Sequence, residues 1–242
     1  MRSIRERFRR PSVPPRSRSF MIVGMHRSGT SFLTGSLQQA GLELGSHSAW
    51  NPHNLKGNRE NQDIVSFHDR VLAAHGASWD RPPGGAVQWS AQETAEAREL
   101  VAGYRALPLW GFKDPRGLLL VHGWRKVLPA LRFVGIFRHP AAVAQSLAAR
   151  GGMPANQALE LWNAYNLRLL ALHEQVRFPL LCFDEDEPIL HAKLAQMLHA
   201  LGLAPAAGER FFSSELRHHG QLDVALPADI AALLKELRAR AL

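Results

Sequence analysis

The sequence is short of several things, and each shortage narrows what the chain can be. It has a single cysteine, Cys182, so no internal disulfide can form, which suits a reducing compartment. No apolar stretch is long enough to cross a bilayer, and residues 20–25 are too short for the hydrophobic segment of a signal peptide. The expectation is a cytoplasmic protein without a transmembrane segment. Histidines are not grouped as metal ligands. The interval from His47 to His53 lacks a third ligand and His218-His219 fares no better, so both read as loop and no metal is expected. Acidic residues are also scarce, 21 Asp and Glu against 29 Lys and Arg, leaving a formal charge of +8. Such a field favours anionic ligands: nucleotide phosphates, acidic glycans, nucleic acid or a membrane surface.

Part of the excess is local. Residues 1–18 carry Arg2, Arg5, Arg7, Arg9, Arg10, Arg16 and Arg18 against Glu6 alone, and Pro11, Pro14 and Pro15 break any helix there. This stretch reads as a basic, disordered arm. Residues 19–242 then form a single domain, a length sufficient for one α/β core. Within it, residues 20–23 read as a short strand buried on both faces, of the kind found in parallel sheets. A turn and a helix over 30–40 follow, ended by Gly41. A second helix spans about 59–74, with Ile64, Phe67, Val71 and Leu72 on one stripe. Ser90 and Glu93 make a capping box for a helix running to about 106. Further strands are expected at 109–112, 131–137 and 179–183. Helices are expected from Pro140, over 156–176 and over 227–241. Leu161, Trp162 and Cys182 read as core, and the run from Asp184 to Glu187 as a solvated helix cap.

Strands alternating with helices predict a three-layer α/β/α fold with a mainly parallel central sheet, of P-loop nucleotide-binding type. Ligands of such sheets sit at the carboxyl ends of the strands, which places the chemistry just after residues 24, 113, 137 and 183. The first of these positions is Gly24-Met-His-Arg-Ser-Gly-Thr30-Ser31, a glycine turn between strand and helix, where backbone N–H groups and the helix dipole hold phosphate. The spacing of Gly24 and Gly29 is that of a nucleotide P-loop, but the position of the lysine that reaches the β- and γ-phosphates holds Thr30. The cation is Arg27, inside the loop. A second cation, Arg138, stands at the exit of a later strand, with Ser146 eight residues on in the following helix.

Together these residues resemble the PAPS-dependent sulfotransferases, which use 3'-phosphoadenosine 5'-phosphosulfate. In that family a Pro-Lys-Ser-Gly-Thr-Thr type of loop follows the first strand. Arg27 falls on the family's lysine, and Ser28, Gly29, Thr30 and Ser31 fall on the loop and helix start. Arg138 and Ser146 match the strand-end arginine and helix serine that bind the 3'-phosphate. The resemblance implies a sulfotransferase moving a sulfuryl group from PAPS to a hydroxyl or amine, with PAP as product and no metal. It covers most of residues 19–185 in order and type of element; beyond them, Arg217-His-His-Gly220 is a candidate for the family's C-terminal basic-glycine segment. Arginine for lysine keeps the charge but supplies a planar group that stays protonated. It suits charge stabilisation better than proton donation.

The base is less clear-cut. Many family members place a histidine shortly after a lysine on the second strand, and here Lys113 is followed by Asp114-Pro-Arg116. Lys-Asp-Pro is similar to the branch containing protein-tyrosine and some bacterial sulfotransferases, in which a glutamate after the first helix is the base. Glu60 fits that role on the inner face shared with Ile64, Phe67 and Val71; the alternative is that it only complements a helix N-terminus. Asp63, His53 and Asp114 are weaker candidates. Lys113 is assigned to the sulfuryl and bridging oxygens, and Asp114 to orienting it or Arg116. Residues 51–58 and 77–89 are expected to shape the acceptor site, for a small-molecule, glycan, lipid or peptide acceptor. Two other readings stay open: a P-loop kinase using ATP, and a non-catalytic basic protein binding nucleotide or nucleic acid through the arm.

Overall fold

Alternation along one short strand organises the molecule. In β1 (Arg18–Val23) Phe20 and Ile22 face one side and Met21 and Val23 the other, all buried. A strand buried on both faces needs helices above and below it. The computed structural model, which describes residues 17–47, 57–205 and 225–242, supplies them.

Four parallel strands, β1, β2 (Leu109–Lys113), β3 (Arg132–Phe137) and β4 (Leu180–Cys182), lie in the order β2-β1-β3-β4. One face is covered by α1 (Thr30–Gln39) and α7 (Glu187–Ala200). Leu33, Leu37, Leu190 and Leu194 of these helices pack on Phe20, Ile22, Val134, Ile136 and Leu181. The other face carries α2 (Gln62–Ala74), α3 (Ala91–Leu100), α4 (Val121–Val127), α5 (Pro140–Gly151), α6 (Ala155–Val176) and α8 (Ala228–Arg240). Trp110, Trp124 and Trp162 are fully buried in the core on that side. The result is the expected three-layer α/β fold. Because β2 lies on one flank of β1 and β3 on the other, the chain reverses direction across the sheet between β1 and β3. A crevice opens at the carboxyl ends of strands where this happens.

Several boundaries differ from expectation. Arg18 belongs to the sheet, in register with Leu109, and its guanidinium donates to the Leu201 carbonyl at 2.8 Å. The remainder of the basic arm, 1–16, lies outside the described residues, as do His53 and Arg217–Gly220. The first turn of α2 begins at Gln62, because the Asn61 side chain accepts from the N–H groups of Asp63 and Ile64 and so fixes the helix start. Glu60 therefore precedes the helix and does not share its inner stripe. The capping box of Ser90 and Glu93 is present, but α3 stops at Leu100 and residues 102–106 tighten into a 3-10 helix containing Gly103. Asp184 is no solvated cap. Its carboxylate accepts from the His139 N–H and lies 3.5 Å from Arg138 Nε, tying the exit of β4 to that of β3. No helix among the described residues is long and apolar enough to cross a membrane.

Candidate active site

The ends of all four strands border one cleft of about 860 Å³, lined by Arg27, Lys113, Arg138 and Phe183 among others. Glycine makes the first loop possible. A Cβ on Gly24 would stand 2.3 Å from the Ile136 carbonyl oxygen, so the chain leaves β1 hard against β3. Gly29 has φ +86° and caps α1 without any side-chain hydrogen bond, and the first turn of α1 holds no acidic residue. A helix start without a side-chain cap or an acidic first turn is a setting suited to an anion. Arg27 itself has φ +66°, an unfavourable conformation for an arginine of the sort found where a site dictates the backbone.

The side chain of Arg27 crosses to the β3 side of the cleft, where Nε donates to Ser146 Oγ at 2.7 Å. Arg138 reaches toward the same place, its Nη1 3.5 Å from the Arg27 carbonyl and its guanidinium above the Phe183 ring at 5.5 Å from the centroid. Arg150, one turn beyond Ser146, lines the cleft as well. Burial pushes the Arg27 guanidinium below its ordinary value, and the neighbouring charges of Arg150 and Arg138 push it the same way. Cations gathered like this favour a polyanionic ligand.

On the β2 side charge is matched instead. Lys113 is 3% exposed, and Nζ donates to Glu60 Oε1 at 2.7 Å and to the Asn58 carbonyl at 2.9 Å, with Ser31 Oγ at 3.5 Å. Glu60 is 12% exposed in this pair and lines the cleft, so its inward position comes from Lys113 and not from a helix face. Below it, Asp114 Oδ2 accepts from His68 Nδ1 at 2.7 Å and Oδ1 accepts from Arg116 Nη1 at 2.9 Å. Trp124 Nε1, a donor only, bonds His68 Nε2 at 2.7 Å. That fixes His68 as the neutral tautomer with its proton on Nδ1. Burial tends to raise the Asp114 carboxyl, but the His68 hydrogen bond and the Arg116 charge outweigh it and hold the group below the usual range.

The cleft therefore gathers Arg27, Gly29, Thr30, Ser31, Glu60, Lys113 and Arg138, with Ser146 joined through Arg27. Ser28 turns away: its side chain is fully buried, and Oγ has no hydrogen-bond partner among the described residues. Asp63 lies in the first turn of α2 and does not line the cleft. Asp114 orients Arg116.

His26, Trp79, Arg116 and Arg150 line the cleft without having been singled out as ligands. His26 packs on Trp79 with ring centroids 4.8 Å apart, and burial pulls its imidazole down to about 3. At neutral pH it is an uncharged hydrogen-bonding group, far too weakly basic to take a proton from an acceptor. Its place beside Arg27 in the loop was a usable signal, as was the four-residue step from Ser146 to Arg150 along one helix face. No spacing announces the pairing of His68 with Asp114.

No family model and no curated protein matches the sequence. Solved structures do. The fold is similar to that of the sulfotransferase domain from the Synechococcus PCC 7002 olefin synthase, with a TM-score of 0.57 over 96% of this chain and 98% of that one, at 16% identity. The sulfotransferase domain from the curacin biosynthetic pathway gives a TM-score of 0.52 at 15% identity, over 92% of this chain and 98% of that one. At such identities the likeness is one of architecture. The chain carries the sulfotransferase fold.

Proposed function

We propose that the protein is a sulfotransferase that takes a sulfuryl group from PAPS and delivers it to a hydroxyl or amine. The observation that carries this reading is the hydrogen bond from Arg27 to Ser146. It joins the glycine loop after β1 to the Arg138–Ser146 segment after β3, so that two cationic sites serve one cleft. A nucleotide phosphorylated at both 5' and 3' positions fits that pair of sites better than a triphosphate does, because the lysine needed at Thr30 is missing.

The residues fit the donor chemically. The loop amides and the uncapped start of α1 would hold the 5'-phosphosulfate, with Ser31 and Lys113 beside it, while Arg138 and Ser146 would hold the 3'-phosphate. When bound, PAPS supplies the sulfuryl group and leaves as PAP. Glu60 accepts the proton of the acceptor hydroxyl or amine as the acceptor atom bonds sulfur and the bond from sulfur to the departing phosphate oxygen breaks. Lys113, released from Glu60 as that carboxylate is neutralised, and Arg27 stabilise the charge gathering on the leaving phosphate. Arg116, held by Asp114 at 2.9 Å and Asp69 at 2.6 Å, adds fixed positive potential. A reducing, cytoplasmic setting agrees with the single buried thiol.

Calorimetric titration with PAP, ADP and ATP tests the reading, followed by an acceptor screen with labelled PAPS. PAP binding well ahead of both other nucleotides is the expected result. Equal or tighter ATP binding, or Mg-ATP turnover, would favour the kinase reading and end this one.

A further inference from the structure

The cleft has more positive charge on its β3 side than Arg138 and Ser146 account for. Residues four apart on a helix share a face. On α5 that face presents Ser146 and Arg150, with Leu147 and Gly151 alongside; Leu147, Arg150 and Gly151 line the cleft, and Ser146 takes the hydrogen bond from Arg27. Arg150 has no ion-pair or hydrogen-bond partner among the described residues. Arg27 has no carboxylate partner there either, while Arg138 faces Asp184 at 3.5 Å. Of these three guanidinium groups, Arg138 faces a carboxylate, that of Asp184.

The sheet order says which side of the cleft they serve. Lys113 flanks the β1 loop from β2, whereas Arg138 and α5 flank it from β3, and Arg27 leans to the β3 side. A lysine ammonium could reach one phosphate as a point charge; the planar fork of Arg27 bonds Ser146 through Nε and keeps its terminal amines for an anion. Resting on the reading above, we propose that Arg150 completes a 3'-phosphate clamp with Arg138 and Ser146, and that this clamp favours nucleotides phosphorylated at the 3' position. A phosphate dianion among these groups neutralises charges that otherwise repel one another. Arg150 also lies in the last turn of α5, where a cation complements the helix dipole. A purely structural role of that kind would alter stability and leave ligand preference untouched.

The test is calorimetry of wild type and Arg150→Ala with adenosine 3',5'-bisphosphate and with adenosine 5'-monophosphate, and thermal denaturation of both proteins to establish folding. Wild type should prefer the bisphosphate. Losing one charged phosphate contact should weaken bisphosphate binding by about 10- to 100-fold while leaving monophosphate binding unchanged, with partial rescue by Arg150→Lys. An unaltered preference in folded Arg150→Ala overturns the clamp but not the sulfotransferase reading. A wild type that binds the two nucleotides equally overturns both.

Discussion

The two sides of the cleft treat charge in opposite ways. Beside β3, Arg27, Arg138 and Arg150 crowd together, and burial and mutual repulsion press Arg27 below its ordinary affinity for a proton. Beside β2, Lys113 has Glu60, Arg116 has Asp114 and Asp69, and Asp114 has a hydrogen bond from His68. The first arrangement is uncomfortable without a ligand and the second is complete without one. Beside β3 a bound anion would relieve repulsion, whereas beside β2 the opposite charges are already supplied within the chain.

This contrast can be broken by substitution. The largest effect is expected at the crowded side: Arg27→Ala should lower kcat/KM with PAPS by about 1000-fold, about 4 kcal/mol, while the melting temperature stays level or rises as repulsion is relieved. Retained turnover would remove Arg27 from the mechanism. Asp114→Asn should do the reverse to the fold, costing about 3 kcal/mol in urea denaturation, because Arg116 and His68 lose a buried anionic partner. A stability like wild type would mean the paired side is not the structural one. Glu60→Gln should lower kcat by about 100-fold with little change in PAP affinity, the signature of a lost proton acceptor. A change confined to KM would return Glu60 to the role of holding Lys113.

The smallest effect concerns pH. The His26 imidazole, ordinarily at 6.5, is held near about 3 by burial. Below its ordinary value the unfolded chain takes up this proton and the folded protein does not, so folding stability drops as the pH falls from about 6.5 toward about 3. Going from about pH 7 to about pH 5, wild type should lose up to about 2 kcal/mol more than His26→Asn. Parallel losses in the two proteins would show that the ring is better solvated than its contacts with Trp79 imply.

What could be read from the sequence was whatever is encoded in adjacent residues. The strand, glycine turn and helix around Arg27 are contiguous, and Arg138-His139-Pro140 marks a strand exit and helix start by itself. Their side chains meet in one cleft because a parallel sheet directs every strand end the same way. Pairings between distant segments were not readable. Trp124 donates to His68 across 56 residues and His68 to Asp114 across 46, and nothing in composition foretells either. Glu60 was readable as an inward carboxylate for the wrong reason. Asn61 caps a helix that starts only at Gln62, beyond Glu60, and it is Lys113 that draws the acid in.

Gly29 also ties the loop to the far edge of the sheet. A methyl group there would come within 2.5 Å of the Phe183 ring, above which the Arg138 guanidinium rests. Sequence drift at position 29 is therefore constrained by position 183. Trimming Phe183 to leucine would clear the space, yet the left-handed backbone would still cost a non-glycine residue about 1 kcal/mol, and Arg138 would lose its aromatic rest. The two positions should vary together or stay fixed together in descendants of this chain.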